Sequence, residues 1–206
     1  VSKLGLRQLR IAETEKYAHV TYFFNGGRER PFEGEERILV PSPHAAHFNE
    51  HPEMGAEKIT ETILGAVPKY DFILANFANG DMVGHTGDFE ATIKALEVLD
   101  ACLARIIPAV LQAGGAVLVT GDHGNAEEKR YRGTGEPRTK HTINPVPFFL
   151  ITEERRRTEP RGEADIKKLY GEIGGVLTDL APTILELMGL SKPGEMTGIS
   201  LAGKLR

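Results

Sequence analysis

The sequence predicts an α/β fold, one layered domain around a doubly wound, mainly parallel sheet, and three observations carry that prediction. Residues 70–77 (YDFILANF) form a largely apolar run of strand length. The segment from Phe89 to Gln112 follows, with Ile93, Leu96, Leu99, Leu103, Ile106, Ile107 and Val110 at helical spacing. Residues 116–120 (AVLVT) are a second short apolar run. Strand, helix, strand is a βαβ unit, which implies adjacent parallel strands joined by a right-handed crossover. Buried parallel strands read as continuous apolar runs, as these two do.

The other elements follow in chain order. The opening (VSKLGLRQLRIAETEKYAHV) does not read as a native start, because it lacks an initiator Met. His19 to Phe24 (HVTYFF) reads as a strand, stopped by Asn25-Gly26-Gly27. Arg37 to Val40 is another, ended by Pro41 and Pro43. Residues 53–67 carry Met54, Ile59, Ile63, Leu64 and Val67 at helical spacing, with Pro52 just before them. Asp88 suits the N-cap of the long helix and Gly114-Gly115 its stop, while Pro108 kinks or shortens its last turn. Val146 to Ile151 (VPFFLI) reads as a strand, with Pro147 at its start or on a sheet edge. The charged stretch Thr152 to Glu172 reads as a solvated loop or hairpin. Val176 to Leu190 reads as a helix in which Pro182 falls in the first turn after a cap at Thr178 or Asp179.

Composition narrows function only by exclusion. With 206 residues, 40% apolar and 26% charged, the chain is ordinary for a globular domain. A net charge of −4 gives no sign of a nucleic-acid partner. No apolar run reaches membrane-spanning length, and no basic-plus-apolar leader opens the chain. The single cysteine, Cys102, lies in a helical pattern as a small core residue, and a reducing cytoplasm is the default setting.

Ligands of open parallel sheets sit beyond the carboxyl ends of strands. Two loops fall there: ANGDMVGHTG, with Asp81 and His85, and GDHGN, with Asp122 and His123. A third polar segment, TKHTINP, brings His141. Two carboxylates and three imidazoles suit Mn²⁺ or Zn²⁺ better than Mg²⁺, which prefers oxygen. Two such ions would clamp a phosphoryl group. Each piece alone has a plainer reading. Asp81 and His85 serve equally as loop hydrogen-bonders, GDHGN as a sharp turn, and His141 as a lone histidine. His44, His47 and His51 have helical spacing, but Pro41, Pro43 and Pro52 fence them, so they read as surface or loop histidines.

The ordered motifs ETEKYAHVTYFFNGG, SPHAAHFNEHPEMGA, NFANGDMVGHTG, GDHGNAE, TKHTINPVPF and GVLTDLAPTILELMG resemble the cofactor-independent (2,3-bisphosphoglycerate-independent) phosphoglycerate mutases. The similarity runs from about Leu9 to Leu201. It implies an alkaline phosphatase-like α/β domain, interrupted in the family by an inserted transferase domain. It also implies interconversion of 3- and 2-phosphoglycerate through a phosphoserine, supported by two Mn²⁺ ions, with Zn²⁺ or Co²⁺ as substitutes. By motif, Asp81, His85 and His141 resemble the ligands of one ion, and Asp122 and His123 those of the other. Lys16 resembles a catalytic lysine acting on the phosphoryl group or substrate; without the resemblance it reads as a solvated surface lysine.

One departure stands out. The family's nucleophilic serine, a further aspartate ligand and the inserted domain precede the matched region. The serines here are Ser2, Ser42, Ser191 and Ser200, and none sits at a strand-to-helix junction beside an aspartate ligand. The expectation is the C-terminal portion of a phosphatase domain, residues 1–206, inactive alone, holding one ion well and the Asp122–His123 ion weakly. The full-length protein is expected to be a monomer. Loss of the N-terminal strands should leave apolar surface exposed, through which the fragment self-associates. Two other readings remain at this stage: another metal-dependent phosphatase or phosphomutase of the superfamily, and a non-catalytic complementing half.

Overall fold

The middle strand of the parallel sheet buries polar and charged side chains along with its apolar ones. In the computed structural model, which describes residues 1–43, 47–157 and 159–204, Gln8–Glu13 (β1) lies between Glu35–Val40 (β2) and Phe72–Asn76 (β3) in a parallel three-stranded sheet. Ile11 stands level with Ile38 on one side and Ala75 on the other. All six residues of β1 are buried, Arg10 and Glu13 among them. Alternation puts Leu9, Ile11 and Glu13 on one face and Gln8, Arg10 and Ala12 on the other. Ile11 joins Val40, Ile59 and Ile63 of helix Ala56–Ala66 (α1), and Ile106 of helix Phe89–Gln112 (α3), in the core. On the opposite face the Arg10 guanidinium lies 4.6 Å from the Phe24 ring centroid and 5.0 Å from that of Phe72. Burial lowers its pKa to about 10, the Glu35 charge offsetting part of this and Arg37 adding to it.

The sequence expectation for HVTYFF fails here. His19–Phe23 is a turn of π-helix, and Thr21 Oγ1 donates to Tyr17 O at 2.7 Å. Its β-branched and aromatic residues cover the sheet instead of joining it, because tertiary packing outweighs strand propensity. The βαβ expectation also needs correction. The long helix spans the expected residues, with Asp88 Oδ1 accepting from Ala91 N at 3.0 Å as its cap, and Cys102 is buried. Among the described strands, however, β3 pairs with β1, whereas Val117–Thr120 (β4) pairs antiparallel with Phe148–Ile151 (β5). An apolar run specifies burial but not its partner.

The described residues divide into two compact units, one drawn from 1–113 and 125–142, the other from 114–124 and from 143 onward. In the second unit Pro147 immediately precedes β5, as expected of a strand start. The charged stretch read as loop contains a helix, Glu163–Tyr170 (α4), with no buried residue. Glu163 and Asp165 at its start and Lys167 and Lys168 at its end suit the helix dipole, and the missing apolar stripe hid it. The last helix, Leu180–Leu187 (α5), follows a 3-10 turn at Leu177–Asp179. Asp179 accepts from Val176 N (3.1 Å) and Ile199 N (2.8 Å), and Thr183 Oγ1 from Leu201 N (2.8 Å), so the C-terminal stretch is stitched to α5. Gly198 crosses the Thr178 carbonyl so closely that a Cβ there collides with backbone atoms. Gly198→Ala is therefore expected to cost about 3 kcal/mol, read as a lower urea midpoint.

Glu13, at the carboxyl end of β1, is fully buried under Gly55, and neither of its carboxylate oxygens has a partner in hydrogen-bonding geometry. Burial pushes its pKa up; the Gly55 backbone and Ser42 pull back in part, and Glu15 adds to the rise. With the folded value above the unfolded one, this group's contribution is fully present below the ordinary 4.5 and lost as pH climbs through the folded value. Glu13→Gln is expected to flatten that slope and to add about 1 kcal/mol at pH 8, measured by urea melts across pH.

Candidate metal centre

The parallel sheet ends at Glu13, Val40 and Asn76 on one edge, and the chemistry gathers just beyond it. Asp81 and His85, read from sequence as loop residues, lie on a short helix, Asn79–Gly84 (α2), with His85 as its C-cap. Their spacing of four puts both side chains on one face. Asn79 Nδ2 donates to Pro52 O (2.8 Å) and Glu53 O (2.9 Å), tying α2 to the turn before α1.

The segment 125–142 folds back onto α2. There Asp81 Oδ1, His85 Nε2 and His141 Nε2 form a triangle with edges of 3.1, 3.0 and 3.0 Å. A tetrahedral ion with bonds of about 2.0–2.1 Å sets its ligand atoms about 3.3 Å apart, so the triangle is close to the size of a coordination face. His85 Nδ1 lies 2.7 Å from Thr139 O. A carbonyl only accepts, so Nδ1 carries the proton and Nε2 presents its lone pair to the triangle. One carboxylate and two imidazoles are a donor set that divalent ions of the Mn²⁺ to Zn²⁺ series accept.

Lys16 is no surface lysine. It is buried, and its Nζ lies 2.9 Å from Asp81 Oδ2. Burial alone would raise the Asp81 pKa. Hydrogen bonds from Lys16 and Asn125 and the charge of Lys16 outweigh it and hold the carboxyl at about 2.

Asp122 and His123 follow β4 in the second unit, with Oδ1 and Nε2 3.6 Å apart. His47 and His51 are exposed; His47 lines an open pocket beside His85 with Phe48, Asn49 and Met82, while His44 lies outside the described residues. Sequence reasoning passed over Asn125, Lys129 and Thr139. Asn125 lay inside the GDHGN motif, whose sharp turn was explained by its glycines. Nothing in the local pattern marks Lys129 or the Thr139 carbonyl.

The metalloenzyme superfamily matches residues 1–192. The chain belongs to this superfamily. It is 52% identical over 203 residues to the 2,3-bisphosphoglycerate-independent phosphoglycerate mutase of Pseudomonas entomophila, covering 98% of this chain and 37% of that protein. The mutase of the same name from Synechococcus sp. (strain JA-3-3Ab) is 53% identical with the same coverage. A crystal structure of Leishmania mexicana phosphoglycerate mutase, solved at low cobalt concentration, superposes with a TM-score of 0.78 at 34% identity, over 95% of this chain and 37% of that one. The chain thus spans 37% of the length of these relatives and matches their C-terminal part. The fold is the superfamily's alkaline phosphatase-like α/β type with a parallel sheet. Superfamily membership and the presence of carboxylate and imidazole donors support a divalent metal. Among the described residues no helix is long and apolar enough to cross a membrane.

Proposed function

We propose that this chain is the metal-binding, C-terminal portion of the phosphatase domain of a phosphoglycerate mutase that interconverts 3- and 2-phosphoglycerate in glycolysis and gluconeogenesis. The observation that carries the reading is the triangle of Asp81, His85 and His141 with the buried Lys16 ammonium against its carboxylate.

In this reading Asp81, His85 and His141 hold one ion, and Asp122 and His123 contribute to a second. Mn²⁺ fits the donor set, and Zn²⁺ or Co²⁺ fits it too. A bound divalent ion supplies charge stabilisation to phosphoryl oxygens. The chain's own groups do the rest. Lys16 keeps Asp81 ionised and adds a positive point charge where a transferring phosphoryl group develops negative charge. Thr139 fixes the His85 tautomer. The phosphoserine step of the mutase reaction requires a nucleophile that none of the four serines here supplies. Ser42, wedged between prolines, donates its hydroxyl to Glu15. These 206 residues are therefore expected to be inactive alone.

The test is a chimera in which this chain replaces the matched region of the Pseudomonas entomophila mutase, assayed by enolase coupling with Mn²⁺. The expected result is interconversion by the chimera, its loss on Asp81→Ala, and no turnover by the 206-residue chain alone. A folded, Mn²⁺-binding chimera without turnover would overturn the mutase reading. Turnover by the isolated chain would overturn its inactivity.

A further inference from the structure

We propose that Lys129 is a positioning residue that sets the orientation of the Asn125 amide and, through it, of the Asp81 carboxylate. The inference rests on the reading that Asp81 is a metal ligand. Lys129 and Asn125 are both only 4% exposed. Lys129 Nζ donates to Asn125 Oδ1 at 2.7 Å and to Gly84 O at 2.6 Å. Asn125 Nδ2 donates in turn to Asp81 Oδ1 at 2.7 Å and to Asp81 O at 3.2 Å.

The polarity of this chain is chemically forced. An ammonium can only donate and a carboxylate only accepts. An amide wedged between them satisfies both in one orientation and opposes both in the other. Lys129 thus selects the amide orientation that directs a hydrogen bond at the ligand oxygen. Its second bond, to Gly84 O, binds the last residue of α2, so the same ammonium anchors the helix carrying both Asp81 and His85. Gly84 itself makes room: a Cβ there would lie 2.7 Å from Asn125 Oδ1. The loop is tied at its other end as well. Glu127 Oε2 accepts from Asn125 N at 2.7 Å, and Glu127 Oε1 accepts from the hydroxyl of Thr142, next to His141. Asn125 therefore couples Asp81 to the segment that carries His141.

The test uses Lys129→Met, which keeps length and burial but removes the donor, and Gly84→Ala, which displaces Asn125 while leaving Lys129 in place. Two readouts apply: Mn²⁺ affinity by calorimetry, and the Asn125 side-chain amide resonances in metal-free protein. The expected result in both variants is a cooperative melt, Mn²⁺ binding weaker by about 10–100-fold, and shifted, faster-exchanging Asn125 amide protons. A folded Lys129→Met that binds Mn²⁺ within about twofold of the unsubstituted chain, with Asn125 signals unmoved, overturns the proposal. If the unsubstituted chain binds no Mn²⁺, the metal reading falls. The amide signals then decide the relay by themselves: moved by Lys129→Met they uphold it, unmoved they overturn it. If Lys129→Met fails to fold, Gly84→Ala decides by the same two outcomes.

Discussion

Asp81→Ala is expected to be the most damaging single substitution in the first unit, costing about 3–5 kcal/mol in a urea melt of the metal-free chain. The loss has little to do with the volume removed. Lys16 is 3% exposed, and its ammonium would lose the carboxylate oxygen that sits 2.9 Å away. Removing one member of a buried pair takes away a large part of what offsets the other's desolvation, which can cost more than removing both. Lys16→Met in the Asp81→Ala background is therefore expected to recover part of the stability, since it removes the buried charge that the lost carboxylate had offset. The acid dependence has a definite sign. The Asp81 carboxyl is held at about 2 against an ordinary 3.8, so its contribution is fully present above 3.8 and is lost as pH falls through about 2. The gap between the variant and the unsubstituted chain should accordingly narrow below pH 4. A deficit under about 1 kcal/mol at neutral pH would place this pair among screened surface contacts and defeat the argument.

The fold was legible where burial is apolar and illegible where it is polar. The helix at residues 89–112 announced itself through its stripe and its Asp88 cap, and β2, β3, β4 and β5 through runs such as FILAN and VLVT. β1 did not, although it is the middle strand, because Gln8, Arg10 and Glu13 are buried in it by means that no alternation rule encodes. Arg10 lies against two ring faces with the Glu35 charge nearby, and Glu13 is sealed under a glycine. The site divides similarly. Asp81 and His85 were visible because their segment follows the carboxyl end of an apolar strand run, although it was read as a loop and is the helix α2, and His141 because three such polar segments together make a coherent donor set. Asn125 and Lys129 act through contacts that exist only once residues 125–142 fold back on α2. A lysine in a charged stretch such as EEKRYR reads as solvated until the fold buries it.

Mn²⁺ added to EDTA-treated chain is expected to raise its melting temperature by about 5–10 °C at a hundredfold excess over the dissociation constant. That excess corresponds to about 2.7 kcal/mol of linkage, and a chain of this size gains about 2–4 °C per kcal/mol. The stabilisation comes from a cation entering the face formed by Asp81 Oδ1, His85 Nε2 and His141 Nε2, where the two imidazole nitrogens lie 3.0 Å apart. With Nδ1 of His85 committed to Thr139, Nε2 of His141 is the hydrogen-bond donor within the metal-free triangle, and an entering ion takes the place of that proton. His141→Ala removes one of the three donors and is expected to abolish most of the shift. Asp122→Ala is expected to leave most of it, because the resemblance assigns Asp122 to an ion whose serine and second aspartate these residues do not provide. Equal shifts in His141→Ala and the unsubstituted chain would move the metal away from this triangle. No shift with Mn²⁺, Zn²⁺ or Co²⁺ would mean that the triangle binds no ion in this chain alone, and that the buried Lys16 already supplies the counter-charge Asp81 requires.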